Sequence, residues 1–123
     1  MIKKPENQNH DCVFCRIMNG EIVANKIFEN ENFMAIPDAK PKVKGHSLII
    51  SKKHFETVLD MPVTLGGELV KAIKGTSLKL MEENNAEGFN IVQNNFKVAG
   101  QIVPHVHFHI FPRKPGEKVS FMD

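Results

Sequence analysis

Three histidines alternate with apolar residues in one short segment near the end of the chain. His105, His107 and His109 are interleaved with Val106 and Phe108. Strict polar and apolar alternation is typical of a half-buried β-strand, whose successive side chains leave opposite faces. The three imidazoles should therefore project from one face. Imidazole serves at neutral pH as a metal ligand, a general acid or base, or a nucleophile, so this face is the first candidate site.

The two cysteines of the chain form a second candidate site. Cys12 and Cys15 make one Cys-x-x-Cys motif, which in a reducing compartment indicates metal or redox chemistry rather than a structural disulfide. Two thiolates do not complete a tetrahedral zinc site, so a zinc interpretation needs two histidines as well. A redox dithiol is the competing interpretation, and the chain around it lacks the βαβ pattern of thioredoxin-like proteins.

The composition is that of an ordinary globular domain, with 123 residues, 41% of them hydrophobic and 24% charged. We predict one domain over residues 1–123, with flexible tails at 1–10 and 114–123. The net charge of only +2 and the absence of Tyr and Trp argue against nucleic-acid binding. The chain shows neither a signal-peptide pattern nor an apolar run of membrane-spanning length, so we expect no membrane partner and a cytoplasmic location.

Two helices and five strands are predicted to position these residues. Asp11 is the candidate N-cap of a short helix, and Gly20 is placed to end it. Most connections are short, which favours an α+β fold with an antiparallel sheet and a helix packed on it. The expected helices cover 12–18 and 63–84, and the expected strands cover 25–29, 32–36, 46–51, 89–93 and 102–111. The inner stripe of the long helix should contain Leu69, Val70, Ile73, Ser77, Leu80 and Met81.

The order and spacing of these motifs resemble the histidine triad (HIT) family of nucleotide-binding hydrolases and transferases. The likeness rests on the His-Val-His-Phe-His run, the loop 94–101 before it, the segment 45–54, the Cys-x-x-Cys motif and Asp38. It covers residues 12–113. It implies a HIT-like five-stranded antiparallel sheet with one long and one short helix, and a homodimer in which the sheets of two copies join.

The resemblance also implies a catalytic mechanism. The middle histidine, His107, would attack the α-phosphate of a nucleotide and form a nucleotidyl-histidine intermediate that water then hydrolyses. His109 would hydrogen-bond the phosphate or the leaving group, and Gln101 would position the attacking or leaving oxygen. His46 would orient the triad or relay protons. A solvent-exposed strand end is the alternative for His109, and a satisfied core histidine is the alternative for His46.

Further positions match the family's nucleotide-binding residues. Asp38 corresponds to the acid that binds the ribose hydroxyls, Asn94 to a ribose or phosphate contact, and Gly100 to the backbone cradle for phosphate. A turn role suits Asn94 equally well. The apolar residues that match the base pocket, which could equally be core residues, are Phe14, Ile17, Ile22 and Ile36.

Two positions depart from the family pattern in or next to the loop 94–101, which the resemblance implies is the phosphate loop. Phe96 stands where a small residue, often Gly, is usual, and Ile102 stands where many members have Ser or Thr. Both departures bear on which substrate is accepted, because they change side chains near the phosphate. Neither removes the nucleophile.

Branches of the family that retain Cys-x-x-Cys bind zinc, and the matching residues here are Cys12, Cys15, His54 and His105. Two thiolates and two imidazoles form a closed, structural zinc site. The implied substrate is a purine nucleotide conjugate, either a dinucleoside polyphosphate or a nucleoside phosphoramidate, with phosphorylase or transferase activity as a weaker option. Two other functions stay open: a nucleotide-binding module with little turnover, and a metallohydrolase in which the three histidines of the strand hold a catalytic metal.

Overall fold

A five-stranded antiparallel sheet forms the centre of the protein. The computed structural model describes residues 11–119; the predicted tail at 1–10 and residues 120–123 lie outside the described residues. The strands are β1 (Phe28–Glu29), β2 (Phe33–Pro37), β3 (Ser47–Ser51), β4 (Gly88–Val92) and β5 (His107–Arg113). Their order across the sheet is β1-β2-β3-β5-β4, and all four pairings are antiparallel. The predicted α+β architecture is confirmed.

Helix α1 (Val13–Met18) and helix α2 (Gly66–Asn84) pack on opposite faces of this sheet. Three short 3₁₀ turns lie at Val58–Asp60, Val63–Leu65 and Lys97–Ala99. The α2 side is closed by Val106, Phe108 and Ile110 together with residues of β2 and β3. The α1 side holds a second buried cluster around Phe14. The odd-numbered residues of β5 face this side, where His107 packs against Phe14. The alternation read from the sequence therefore separates a core face from a histidine face.

The last strand is shorter than predicted, because it starts at His107 rather than at residue 102. The residues before it bond elsewhere: the Val106 N–H donates to the Phe55 carbonyl at 2.7 Å. His105 therefore precedes the ladder. This offset lets its ring turn to different partners from those of His107 and His109. The first strand is also shorter than predicted, with only two residues in the ladder.

The cap of α1 differs from the prediction. The N-cap is Cys12, whose Sγ accepts a hydrogen bond from the backbone N–H of Cys15 at 3.4 Å, and not Asp11. Thiol sulfur replaces the usual oxygen because the Cys-x-x-Cys spacing places the first sulfur over the first turn. The helix ends at Met18 with Asn19 as its C-cap, and Gly20 follows with φ +78°, as expected for a helix stop.

The inner stripe of α2 is wider than predicted and differs from the prediction at Val70. Ser77 and Leu80 are buried, and Leu69, Ile73 and Met81 are half-buried, as predicted. Val70 is 53% exposed, whereas Ala72 and Thr76 are fully buried and were not predicted. Gly75 also lies against the sheet, because a Cβ there would lie 2.5 Å from the ring of Phe28. The bare backbone at this position lets α2 approach β1 closely. Among the described residues, no helix has the length and apolar character needed to cross a membrane.

Candidate functional site

His107 is a buried imidazole whose protonation pattern is fixed by the backbone. Its Nδ1 lies 2.7 Å from the carbonyl oxygen of His105, which can only accept, so Nδ1 carries the proton and Nε2 keeps its lone pair. The side chain is 6% exposed and packs against the edge of the Phe14 ring, with ring centres 5.1 Å apart. Burial lowers the pKa of His107, opposed in part by the His105 carbonyl. The ring is therefore a neutral base with one available nitrogen.

His109 belongs to a chain of hydrogen bonds with His46 and Asp38. The backbone N–H of Lys42 donates to His46 Nδ1 at 3.1 Å, so the His46 proton is on Nε2. That nitrogen lies 2.9 Å from His109 Nδ1 and 3.4 Å from Asp38 Oδ2. His109 Nδ1 is then an acceptor, and the proton of the neutral His109 ring sits on Nε2. One backbone amide thus sets the tautomers of two histidines and leaves His109 with an N–H donor.

His109 should make the stability of the protein fall in acid. Burial, followed by the neighbouring His107 and His46, lowers the pKa of His109 from 6.5 to about 4. The unfolded chain therefore takes up a proton below pH 6.5 that the folded protein refuses, and stability is lost as pH falls from 6.5 toward 4. We expect wild type to lose about 1–2 kcal/mol more unfolding free energy than His109→Asn between pH 7 and pH 5. Urea titrations of both proteins check this, and equal losses would contradict it.

The loop before β5 holds the residues predicted to contact phosphate. Val92 pairs with His109, so the same antiparallel register, continued past the end of β4, brings Asn94 opposite His107. Gly100 has φ +96°, and a Cβ there would lie 3.5 Å from the Asn94 amide nitrogen. The predicted phosphate residues Asn94 and Gly100 are therefore neighbours, and the extended register puts Asn94 on the His107 side of the sheet.

Gln101 is buried, and both ends of its amide bond to backbone. Its Oε1 accepts from the Phe96 N–H at 2.7 Å, and its Nε2 donates to the Glu56 carbonyl at 2.6 Å. These bonds tie the phosphate loop to the segment before the first 3₁₀ turn. The predicted positioning of a reacting oxygen is not among these contacts and stays a prediction.

The four predicted base contacts divide into two pairs. Phe14 and Ile36 are 6% and 5% exposed and belong to the buried cluster on the α1 side. Ile17 and Ile22 line an open pocket of about 310 Å³ together with Met34. Asp38 is partly exposed, and its Oδ1 accepts from the Lys40 N–H at 2.8 Å. The pocket, rather than the buried pair, is available to a base.

The four predicted metal ligands converge. Cys12 Sγ and His54 Nδ1 lie 3.2 and 3.0 Å from His105 Nδ1, and Cys15 Sγ lies 3.2 Å from His54 Nδ1. All four ligand atoms fall within 4.8 Å of one another, and only His54 is not fully buried. Such a set matches a tetrahedral zinc site in ligand type and number.

The orientation of His105 supports the same conclusion. Its Nε2 faces the Ser51 carbonyl at 2.7 Å and the Ser51 hydroxyl at 3.1 Å, while that hydroxyl donates to the Lys53 carbonyl. Two acceptors place the proton on Nε2 and aim the Nδ1 lone pair at the cysteines. Burial lowers the pKa of His105 to about 4, which keeps the ring neutral. The sequence offered no signal for this role of Ser51.

The three histidines of the strand therefore do not share one metal centre. His105 belongs to the cysteine cluster, and His107 bonds to a backbone carbonyl. His109 groups instead with Asp38 and His46 as a second set of potential ligands within the described residues. This separation removes the geometric basis of a three-histidine metal site.

Comparisons with known proteins agree with this arrangement. The family model described as "HIT domain" matches residues 19–116. An uncharacterised HIT-like protein of Methanocaldococcus jannaschii is 44% identical, over 86% of this chain and 81% of that protein. The adenosine 5′-monophosphoramidase HNT1 of Candida albicans is 36% identical, over 84% and 70%. The adenylylsulfatase HINT3 of Arabidopsis thaliana is 36% identical over 85% of this chain, which spans 53% of that longer protein.

One similar solved structure contains zinc. The zinc-bound histidine triad family protein of Mycobacterium smegmatis superposes with a TM-score of 0.82 and is 38% identical, with 90% of this chain and 81% of that chain covered. The sequence matches this family over most of its length, and the fold matches it as well. The chain belongs to the HIT family.

Proposed function

We propose that this protein hydrolyses purine nucleotide conjugates at the α-phosphate, through a nucleotidyl-histidine intermediate on His107. The observation that carries the proposal is the 2.7 Å hydrogen bond from His107 Nδ1 to the His105 carbonyl. It leaves Nε2 as the only lone pair of a buried, neutral ring, which is what a nucleophile at phosphorus requires. The enzymes named among its relatives support a hydrolase.

The proposed reaction has two displacements. In the first, a bond forms between His107 Nε2 and the α-phosphorus, and the bond from phosphorus to the leaving group breaks. The leaving group takes up one proton, which the His109 Nε2–H would deliver from solvent. In the second, water attacks the phosphorus, the His107 bond breaks and one proton returns to solvent. The products are a nucleoside monophosphate and the protonated leaving group.

We assign the nucleotide to the α1 face of the sheet, where His107 lies beside Phe14. The base would enter the pocket of Ile17 and Ile22, with Phe14 and Ile36 as its buried support. Asp38 would accept from the ribose hydroxyls. The neighbouring Asn94 and Gly100 would hold the phosphate.

Nucleoside phosphoramidates are the first candidate substrates, because a relative carries that activity in its name. The adenylylsulfatase relative has a different leaving group on an adenylyl moiety, which suggests that the adenylyl part is what members hold in common. Dinucleoside polyphosphates are the second candidate. A single comparison decides between them: kcat/KM for adenosine 5′-phosphoramidate against kcat/KM for diadenosine tetraphosphate.

We expect the phosphoramidate to be turned over faster, by at least about tenfold, which is about 1.4 kcal/mol in the transition state. The reverse preference would make this a dinucleotide hydrolase. If neither substrate were turned over while adenosine monophosphate still bound, the protein would be a nucleotide-binding module and the hydrolase proposal would fail.

We also propose that Cys12, Cys15, His54 and His105 bind a structural zinc ion. Four protein ligands close the coordination sphere, so the ion would hold α1, the end of β3 and the start of β5 together and would not activate water. The thiolates need a reducing compartment, for which we propose the cytoplasm; cell fractionation tests this location.

A homodimer is the assembly we propose. Strand β4 is at an edge of the sheet and exposes Phe89 and Ile91, which are 40% and 48% exposed. An apolar edge of this kind needs a cover, and a second copy supplies a self-complementary one. Light scattering should give twice the chain mass of 13.9 kDa. A monomeric mass would refute the dimer and leave the proposed chemistry intact.

A further inference from the structure

Phe96 adopts a backbone conformation that favours glycine. Its φ of +72° and ψ of 154° fall in a region that side chains with a Cβ rarely occupy. Three hydrogen bonds hold it there: its N–H donates to Gln101 Oε1 at 2.7 Å, and its carbonyl accepts from the N–H groups of Ala99 and Gln101 at 3.1 Å each. Such strain persists where the surrounding structure enforces it and concentrates at functional sites. A benzyl side chain in this strained conformation therefore indicates a functional role.

That side chain forms one wall of an open pocket of about 350 Å³. Phe96 is 47% exposed and Ile102 is 91% exposed, so two large apolar groups face the same opening without cover from the described chain. The other lining residues include both apolar and charged ones. The full lining comprises Glu56, Phe96, Lys97, Gly100, Gln101, Ile102 and Pro104.

Gly100 links this pocket to the proposed phosphate site. Gly100 belongs both to the pocket wall and to the contact with Asn94, which the strand register places opposite His107. Pro104 directly precedes His105, whose carbonyl fixes the nucleophile. A displacement at phosphorus places the nucleophile and the leaving group roughly in line, so the leaving group points away from His107. A pocket that shares Gly100 with the proposed phosphate site can receive it.

The charges of the pocket argue against a second polyphosphate. Glu56 and Lys97 contribute one charge of each sign, so the lining offers no surplus of positive charge to a polyanion. Its apolar surface comes instead from Phe96, Ile102 and Pro104, which suit a hydrocarbon body. The occupant with matching chemistry is an amine that carries an aromatic or alkyl group.

We propose that the Phe96–Ile102 pocket is the leaving-group subsite, and that it selects phosphoramidates of amines with an aromatic or alkyl body over the unsubstituted phosphoramidate. This inference rests on the proposed function. The reaction is unchanged: the P–N bond breaks, the His107–phosphorus bond forms, and the amine leaves with one added proton. The pocket acts on the amine's substituent, and its contribution appears as a ratio of kcat/KM values between two amines.

The test uses two substrates, adenosine 5′-phosphoramidate and its N-benzyl derivative, with four proteins. Wild type should favour the benzyl compound by about tenfold, the scale of a few hydrophobic groups in a pocket. Phe96→Gly should reduce that preference to nearly one, and Ile102→Ser should reduce it about threefold. Val63→Ser is the matched control, because Val63 is 96% exposed and lies outside the pocket. It should keep the wild-type ratio.

The two levels of the proposal fail differently. Turnover of both compounds, with a ratio near one or a ratio untouched by Phe96→Gly and Ile102→Ser, would overturn the subsite and leave the phosphoramidase standing. Turnover of neither compound would overturn both. Glycine adopts the backbone angles of residue 96 without strain, so Phe96→Gly should fold, and Ile102→Ser gives an independent reading at an exposed position.

Discussion

Substitution of His107 by asparagine is expected to lower kcat for adenosine 5′-phosphoramidate by about 10⁴-fold or more. Asparagine keeps an N–H donor near the His105 carbonyl but offers no basic nitrogen in place of Nε2, so no bond to phosphorus can form. Affinity for adenosine monophosphate should stay within a few-fold, because the base, ribose and phosphate contacts are proposed to come from other residues. Steady-state kinetics and calorimetric titration with the monophosphate measure the two quantities.

His109→Asn is the matched control for this prediction, since it makes the same substitution two residues along the same face. His109 is proposed to hydrogen-bond the reacting groups and not to attack, so this variant should lose less activity than His107→Asn. It should also still form the covalent intermediate, detected as a mass increase of one adenylyl group on the chain after rapid quenching. Wild-type turnover by His107→Asn, or an adenylyl group found on another residue, would rule out the proposed nucleophile.

The histidine face could be predicted from the sequence because strand periodicity is a local property. Alternation alone assigns Val106, Phe108 and Ile110 to the core and the histidines to the other face, and the structure agrees. The Cys-x-x-Cys spacing likewise demanded two more ligands, and the family motif indicated His54 and His105. The convergence of these four residues depends on the end of β3 and the start of β5 being adjacent in the sheet, which the antiparallel pairing of these two non-consecutive strands provides.

Other features depended on contacts between distant segments and had no local signal. The Val106 bond to Phe55 marks the start of β5, and Gly75 allows the close approach of α2 to Phe28. The tautomers of His46 and His109 follow from the N–H of Lys42. Backbone groups look identical in every sequence, so their choice of side-chain partner becomes visible only in the folded chain.

Phe96 has one feature that the sequence could reveal and one that it could not. The family resemblance marked it as unusual because a small residue is common there, and the structure supplies the reason in a φ of +72°. The sequence could therefore locate the departure. It could not reveal that the ring shares a pocket with Ile102, since that depends on how the loop folds over Gln101.

Removal of metal by a chelator is expected to lower the thermal midpoint of unfolding by roughly 10 °C or more. A structural zinc binds only the folded chain, so its binding energy adds to folding stability, and about 3 kcal/mol corresponds to roughly that shift in a domain of this size. Cys15→Ser should cause a similar fall and abolish the response to chelator, because Cys15 is fully buried at the centre of the cluster. Metal analysis of the purified protein and thermal melts monitored by circular dichroism measure both effects.

The same experiment separates a structural metal from a catalytic one. With four protein ligands in place, no coordination position is left for water or phosphate, so turnover assayed well below the new midpoint should persist at a substantial fraction of the metal-loaded rate. Some loss is expected, since the His105 carbonyl that orients His107 belongs to a proposed ligand. If chelation instead stopped turnover at once without moving the thermal midpoint, the metal would lie at the chemistry, and the Asp38–His46–His109 group would become the place to look for it.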